Sequence, residues 1–179
     1  MNSSEQAGWL IPNNELVYDE ALERLLSQWL RGLSGLSNGM VRPRWTPVPA
    51  AQPSANTDWC GFGISEIPAD DNPAFANQMD EHSELWRHEE IECSASFYGP
   101  RSQGYASRFR DGLGISQNNA ELNLLGLSVV KHSRITSFPE LINNQWVRRY
   151  DITVTLRRKV IRRYSLKSLT SAPIKFFGD

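Results

Sequence analysis

Gln145–Tyr164 reads QWVRRYDITVTLRRKVIRRY, and its period decides the fold. The even positions run Trp146, Arg148, Tyr150, Ile152, Val154, Leu156, Arg158 and Val160. The odd positions run Val147, Arg149, Asp151, Thr153, Thr155, Arg157, Lys159 and Ile161. Such alternation, rich in β-branched and aromatic side chains, marks a strand with one face in a core and the other in water. The stretch is far longer than an ordinary strand of about 5–6 residues. Trp146–Leu156 is therefore predicted to sit in a sheet, with the basic end leaving the domain body as an arm or hairpin. The polar outer face, studded with Arg and Thr, is a surface open to another subunit.

The segments on either side supply what such a strand packs against. Tyr18, Leu22, Leu25, Leu26, Trp29 and Leu33 recur at helical spacing. They predict a helix lying on the sheet, capped by Asn13 or Asn14 and ended by Gly32 or Gly35. Met40–Trp45 predicts a short strand, with Pro43 at an edge or bend because it lacks a ladder donor. Pro47, Pro49 and Pro53 make residues 46–56 a semi-rigid extended connection rather than a domain linker. Residues 58–67 form a strand with Cys60, Phe62 and Ile64 inward, while Gly61 and Gly63 permit a close approach on the other face. Residues 68–81 form a long polar loop. Residues 84–98 return to alternation, with Ile91, Cys93, Ala95 and Phe97 inward and Glu90, Glu92, Ser94, Ser96 and Tyr98 outward. One helix starts at Gly99-Pro100, with Tyr105, Phe109 and Leu113 as its stripe. A second runs from Ser116 to Leu125. Leu127–Arg134 is a strand, and residues 138–144 are a turn region. Sequential strands without regular βα alternation give an α+β class: a mostly antiparallel β-sheet with helices packed on one face, plus extended N- and C-terminal arms. The expected layout is an arm at 1–13, one domain at 14–164 and a tail at 165–179.

The chain of 179 residues is 40% hydrophobic and 22% charged, which suits a globular protein. No apolar run approaches the roughly 20 residues of a membrane span, so no membrane partner is expected. The first residues lack the basic and apolar regions of a secretory signal, and the expectation is a soluble protein made in the cytoplasm. The net charge of −1 hides an asymmetry. Residues 1–100 carry 5 basic and 15 acidic side chains, net −10, whereas residues 101–179 carry 14 and 5, net +9. Opposite-signed regions of this kind steer copies or neighbours together if they become surface patches.

Nothing in the pattern supports catalysis. His82 and His88 flank Glu84, but their spacing matches no zinc or paired-metal arrangement. Cys60 and Cys93 sit in apolar alternation and read as reduced core thiols. Gly61-Phe62-Gly63 lacks the rest of a dinucleotide fingerprint, Gly112–Ser116 lacks the lysine of a P-loop, and no serine sits in a GxSxG elbow. No catalytic residue, cofactor site or metal site is assigned, and no enzyme is expected. The strongest charge feature is Arg157, Arg158, Lys159, Arg162, Arg163 and Lys167. It reads either as a nucleic-acid-binding module or as a basic strand end that pairs with an acidic patch on another subunit.

From Glu90 onward a pattern emerges: EIECSASFYGPRSQGYASRFRDGL, a short helix ending at Leu124–Gly126, then FPELINNQWVRRYDITVTLRR. It resembles the tail terminator, or neck terminator, proteins of long-tailed bacteriophages. The elements that carry the likeness are Phe97, Tyr98 and Gly99 at a strand end, Ala106 in the following helix, and Trp146, Arg149 and Asp151 in the closing strand. The upstream helix, VRPRW and the proline-rich segment fit as well, so the likeness spans about Glu15 to Tyr164. It implies a tail-terminator-like subunit of a virion ring, usually a hexamer, at the head-proximal end of the tail tube. The ring ends tube polymerisation and meets the head-side connector or neck protein, and in contractile tails the sheath protein too. DNA passes through its channel in transit. Another head–tail neck or adaptor (head-completion) protein is the sibling reading. Candidate subunit or partner contacts are Arg149, Arg157, Arg158, Lys159, Arg162 and Arg163, with the apolar arm residues Trp9, Phe176 and Phe177. Asp70, Asp71, Asp80 and Glu81 form a candidate lumen-facing acidic loop that would repel DNA phosphate. The expected location is the virion neck, assembled in the host cytoplasm.

Overall fold

The computed structural model describes residues 3–167. In chain order the elements are α1 (Asp19–Ser34), β1 (Val41–Pro43), β2 (Trp59–Glu66), β3 (Ala74–Ala76), β4 (Ser83–Tyr98), α2 (Ser102–Gly112), α3 (Ser116–Leu124), β5 (Leu127–His132), β6 (Thr136–Ser137), β7 (Glu140–Ile142), β8 (Gln145–Val147) and β9 (Arg149–Tyr164). The main sheet is ordered β1-β2-β4-β9-β5, with β3 paired to β4 and β6 to β9. β7 and β8 make a separate ribbon. β1 runs parallel to β2, whereas β2–β4, β3–β4, β5–β9, β6–β9 and β7–β8 are antiparallel. The architecture is the α+β class read from the sequence. The chain divides into two compact units.

The larger unit, Val17–Pro68 with Glu89–Arg158, holds the hydrophobic core. Register explains its layering. Cys60 faces Phe97, Phe62 faces Ala95 and Ile64 faces Cys93 across β2–β4, so these side chains share one face of the pleat. With Ile91, Ile152, Val154 and Leu156 they pack under Leu22, Leu26, Trp29 and Leu30 of α1 and Ala106 and Phe109 of α2. Trp29 meets Phe109 edge-on at 5.2 Å between centroids, and Phe109 leans on Phe97 at 5.7 Å. Each fully buried aliphatic or aromatic side chain contributes about 1.5–3 kcal/mol through burial. Asp19 and Glu20 in the first turn of α1 and Arg31 in the last suit its dipole. Gly35, at φ 75°, closes the helix by donating its N–H to Arg31 O.

Four local expectations are corrected. α1 begins at Asp19, after an extended Tyr18 with no side-chain cap. Asn14 instead donates its amide to Ile161 O and accepts from Arg163 N; strand backbone competes successfully for the same side chain. The long strand is interrupted before Arg149. Asn143 and Asn144 both adopt left-handed φ, 48° and 62°, which asparagine tolerates. They close a two-residue hairpin turn that pairs 140–142 with 145–147. Trp146 therefore stands on a ribbon, 73% exposed, and Val147 is the buried neighbour. Ser96 and Tyr98, read as outward-facing, are covered. The polar loop at 68–81 contains a short strand, β3.

The smaller unit contains Ala69–His88 and the chain segments before Val17 and after Arg158. β3 lies on β4 with Ala74, Phe75 and Ala76 opposite Trp86, Leu85 and Glu84. Asn13 N–H donates to Arg163 O at 2.7 Å and Ser4 N–H to Ser165 O at 3.1 Å. Backbone pairing thus ties the N-terminal segment beside the end of β9 and the residues after it.

Candidate assembly surfaces

The face of the sheet away from α1 and α2 carries an aromatic and ionic layer within the larger unit. Trp59 and Tyr98, paired across β2–β4, stack with centroids 4.4 Å apart. The Arg149 guanidinium lies 5.6 Å from the Tyr98 centroid. Arg149 grips Asp151 with two donors at 2.9 Å, and its Nη1 reaches Glu140 Oε2 at 3.1 Å. The bond with Asp151 raises the Arg149 pKa further, so this cation is fixed. Burial pushes the Tyr98 phenol up, partly opposed by Arg149. Gly99 follows at φ 111°, donating its N–H to Arg148 O; a Cβ there would lie 2.5 Å from Thr57 O. Only glycine fits that crossing. Tyr98, Gly99, Arg149 and Asp151, quoted above for their family likeness, thus form one junction joining the end of β4 to the start of β9. Trp146 stands outside that junction.

On the same face nearer β1, the close approach allowed by the β2 glycines is made by side chains of this chain. A Cβ at Gly63 would collide with the Trp45 ring, and one at Gly61 would press on Trp59 and Arg44. Arg44 also donates to Ser96 Oγ. Trp45 and Val48 remain exposed along the proline-rich strap. With Pro43, Pro47 and the start of α1 they line an open groove of about 730 Å³, whose other wall carries Asp19, Glu20, Glu23 and Arg24.

The basic cluster is largely engaged internally. In the larger unit Arg158 is nearly buried: its Nε donates to Glu89 Oε2 at 3.0 Å, and its carbon Cζ lies 4.2 Å from the Tyr18 centroid. Its Nη2 is 2.9 Å from the same carboxylate oxygen, though off the hydrogen-bond axis. Tyr18 OH donates to Glu89 Oε1 at 2.6 Å. Arg157 points to solvent. In the smaller unit Lys159 sits over the Trp86 ring, and Arg163 donates to Glu84 Oε1 at 3.1 Å. Glu84 also accepts from Trp86 Nε1 at 2.9 Å and Asn77 Nδ2 at 2.7 Å. These bonds, Trp86 first, hold its carboxyl below the usual range. Arg162 is half-buried, and Lys167 pairs with Glu5. Asp70 accepts from His88 N–H at 3.1 Å, while Asp71, Asp80 and Glu81 are exposed. Trp9 is 91% exposed; Phe176 and Phe177 lie outside the described residues.

The thiols lie in the core. Burial raises both, Cys60 strongly and Cys93 to about 12. Among the described residues no group of three or more His, Cys, Asp or Glu is placed to hold a metal ion, and no helix is long and apolar enough to cross a membrane. What sequence reading missed is the exposed apolar ribbon of Leu141 and Trp146 and the groove beside Trp45. The signal for the ribbon was present: two apolar pairs, Leu141-Ile142 and Trp146-Val147, on either side of Asn143-Asn144.

The sheet is packed on one side and cross-braced on the other, and apolar side chains stand exposed on the ribbon and the proline-rich strap. Comparison gives the family. A family model for the phage neck terminator protein matches residues 20–179, and the chain belongs to that family. It is a structural component of the bacteriophage tail neck, associated there with other proteins of the virion. No curated protein matches the chain.

Proposed function

We propose that the protein forms a closed homo-oligomeric ring, a hexamer, on the head-proximal end of the tail tube. There it stops tube polymerisation and joins the tail to the head-side connector, with the sheath protein a further contact in contractile tails. Family membership across residues 20–179 carries this reading. A heterologous contact that closes on itself gives such a ring, and exposed apolar residues on separate elements suit it. The acidic side chains Asp70, Asp71, Asp80 and Glu81 line the channel and keep DNA phosphate moving. The segments before residue 14 and after 164 act as arms on the 14–164 body, with Trp9, Phe176 and Phe177 gripping neighbours. Arg157 is the member of the basic cluster best placed to reach a partner. Internal partners of Arg149, Arg158, Lys159 and Arg163 weigh against a nucleic-acid-binding module.

The test is imaging and mass photometry of the purified protein, alone and with tail tubes. Rings are expected, seated at one end of tubes whose growth they arrest. A protein that stays monomeric, leaves tubes growing and binds DNA with a steep salt dependence would overturn the proposal.

A further inference from the structure

We propose that the β7–β8 ribbon of one copy seats in the groove between the start of α1 and the proline-rich strap of the next copy. This rests on the ring reading above and names the surfaces that would close the ring. Three observations carry it. Leu141 and Trp146 are a directly opposed cross-strand pair, so they project from one face of the ribbon; they are 53% and 73% exposed. The ribbon's base is held by Arg149 through Glu140 of β7 and Asp151 of β9. The apolar pair is therefore presented on a fixed support, with little ordering left to do on contact.

The second observation is the receptor. Trp45 and Val48 are 72% and 86% exposed beside a concave, open groove. Large aromatics in concave sites make the strongest contacts at interfaces. The third is charge. The groove wall bears Asp19, Glu20, Glu23 and Arg24; Arg24 pairs with Glu20, which leaves Asp19 and Glu23 as its net charge, whereas Arg148 follows the ribbon directly and is exposed. Unlike signs across an interface favour encounter and fix its register. β1 occupies one edge of the sheet, and the ribbon leaves from β6 and β9, beyond β4. Projection and receptor are thus different patches of one molecule, so their contact is head-to-tail rather than two-fold. A second copy fits both patches at once.

Cysteine cross-linking of the full-length protein tests this. Cys60 and Cys93 are buried and resist reaction, while Gln145, beside Trp146 on β8, and Val48 are exposed enough to replace without disturbing the core. Q145C and V48C variants, which keep Trp146 in place, are mixed and treated with a short thiol cross-linker, and the Q145C/V48C double variant is treated alone. The mixture is expected to give a covalent dimer, and the double variant a ladder ending at the ring's copy number. In parallel, Trp146→Ala should weaken association by roughly thirtyfold per contact, as a central aromatic does. Glu23→Arg should weaken it too, and Arg148→Glu in the same chain should restore part of the loss. Rings of the parent protein without a ladder overturn this contact and leave the ring reading intact. Cross-linking of Q145C to itself overturns the head-to-tail arrangement. A parent protein that is monomeric alone and on tubes overturns both.

Discussion

Glu89 and Arg158 sit 69 positions apart in sequence and within 3.0 Å of each other in the fold. Their side chains are 11% and 10% exposed. Removing one member leaves the other charge desolvated without its partner, which typically destabilises by about 3–5 kcal/mol. Arg158→Met retains much of the stem volume, abolishes the bonds to Glu89 and Val17 O, and lifts the cation from Tyr18. Glu89→Leu removes the carboxylate that also accepts from Tyr18 OH. Each variant should therefore lose about 3–5 kcal/mol, a large fraction of a total near 5–15 kcal/mol. With a urea slope of about 2 kcal/mol per molar, the midpoint should fall by about 1.5–2.5 M. The double variant Glu89→Leu with Arg158→Met should recover most of the loss, because apolar replacement of the whole pair is often neutral or better. The assay is urea unfolding followed by far-ultraviolet circular dichroism on all four proteins. A loss below about 1 kcal/mol for both single variants, or losses that simply add in the double, would refute the claim that this pair is buried and coupled.

Two tryptophans should separate fold from surface. Trp29→Ala should cost about 3–5 kcal/mol, whereas Trp146→Ala should stay within about 0.5 kcal/mol; thermal unfolding of both variants decides, and equal losses would contradict the exposures. Gly99→Ala places a methyl against Thr57 O at positive φ and should lose at least about 2 kcal/mol in urea unfolding. Glu84, whose folded pKa lies below the ordinary 4.5, lends stability that is fully present above that value and fades as pH falls through the lower folded one. Hydrogen exchange at the β3–β4 amides should therefore speed up in acid beyond the general trend, and Glu84→Gln should remove the extra sensitivity; identical profiles would disprove the link.

The core face was legible because period and burial coincide. Ile91, Cys93, Ala95 and Phe97 alternate in the sequence and are buried together in the fold. The end of α1 was legible because Gly35 does what only a residue tolerant of positive φ does easily. Trp146 was misread because alternation takes no account of a hairpin: the ribbon is tied off before Arg149, and the residues on either side belong to different sheets. Ser96 and Tyr98 were misread because a polar or amphipathic side chain suits either a wet face or one roofed by Arg44, Trp59 and Arg149. The inward turn of Arg158 was hidden for a different reason. A run of basic residues shows its charge, while the acidic partner comes from a distant strand that only the completed fold brings alongside.

Pro43 has a consequence for the fate of surplus protein. β1 is three residues long, terminates the sheet and ends in a residue with no amide hydrogen to offer. An incoming strand would find almost nothing there to zip onto, so crowding should not seed runaway fibrils along this border. Any grip that copies take on this border must therefore come from side chains rather than from an added strand.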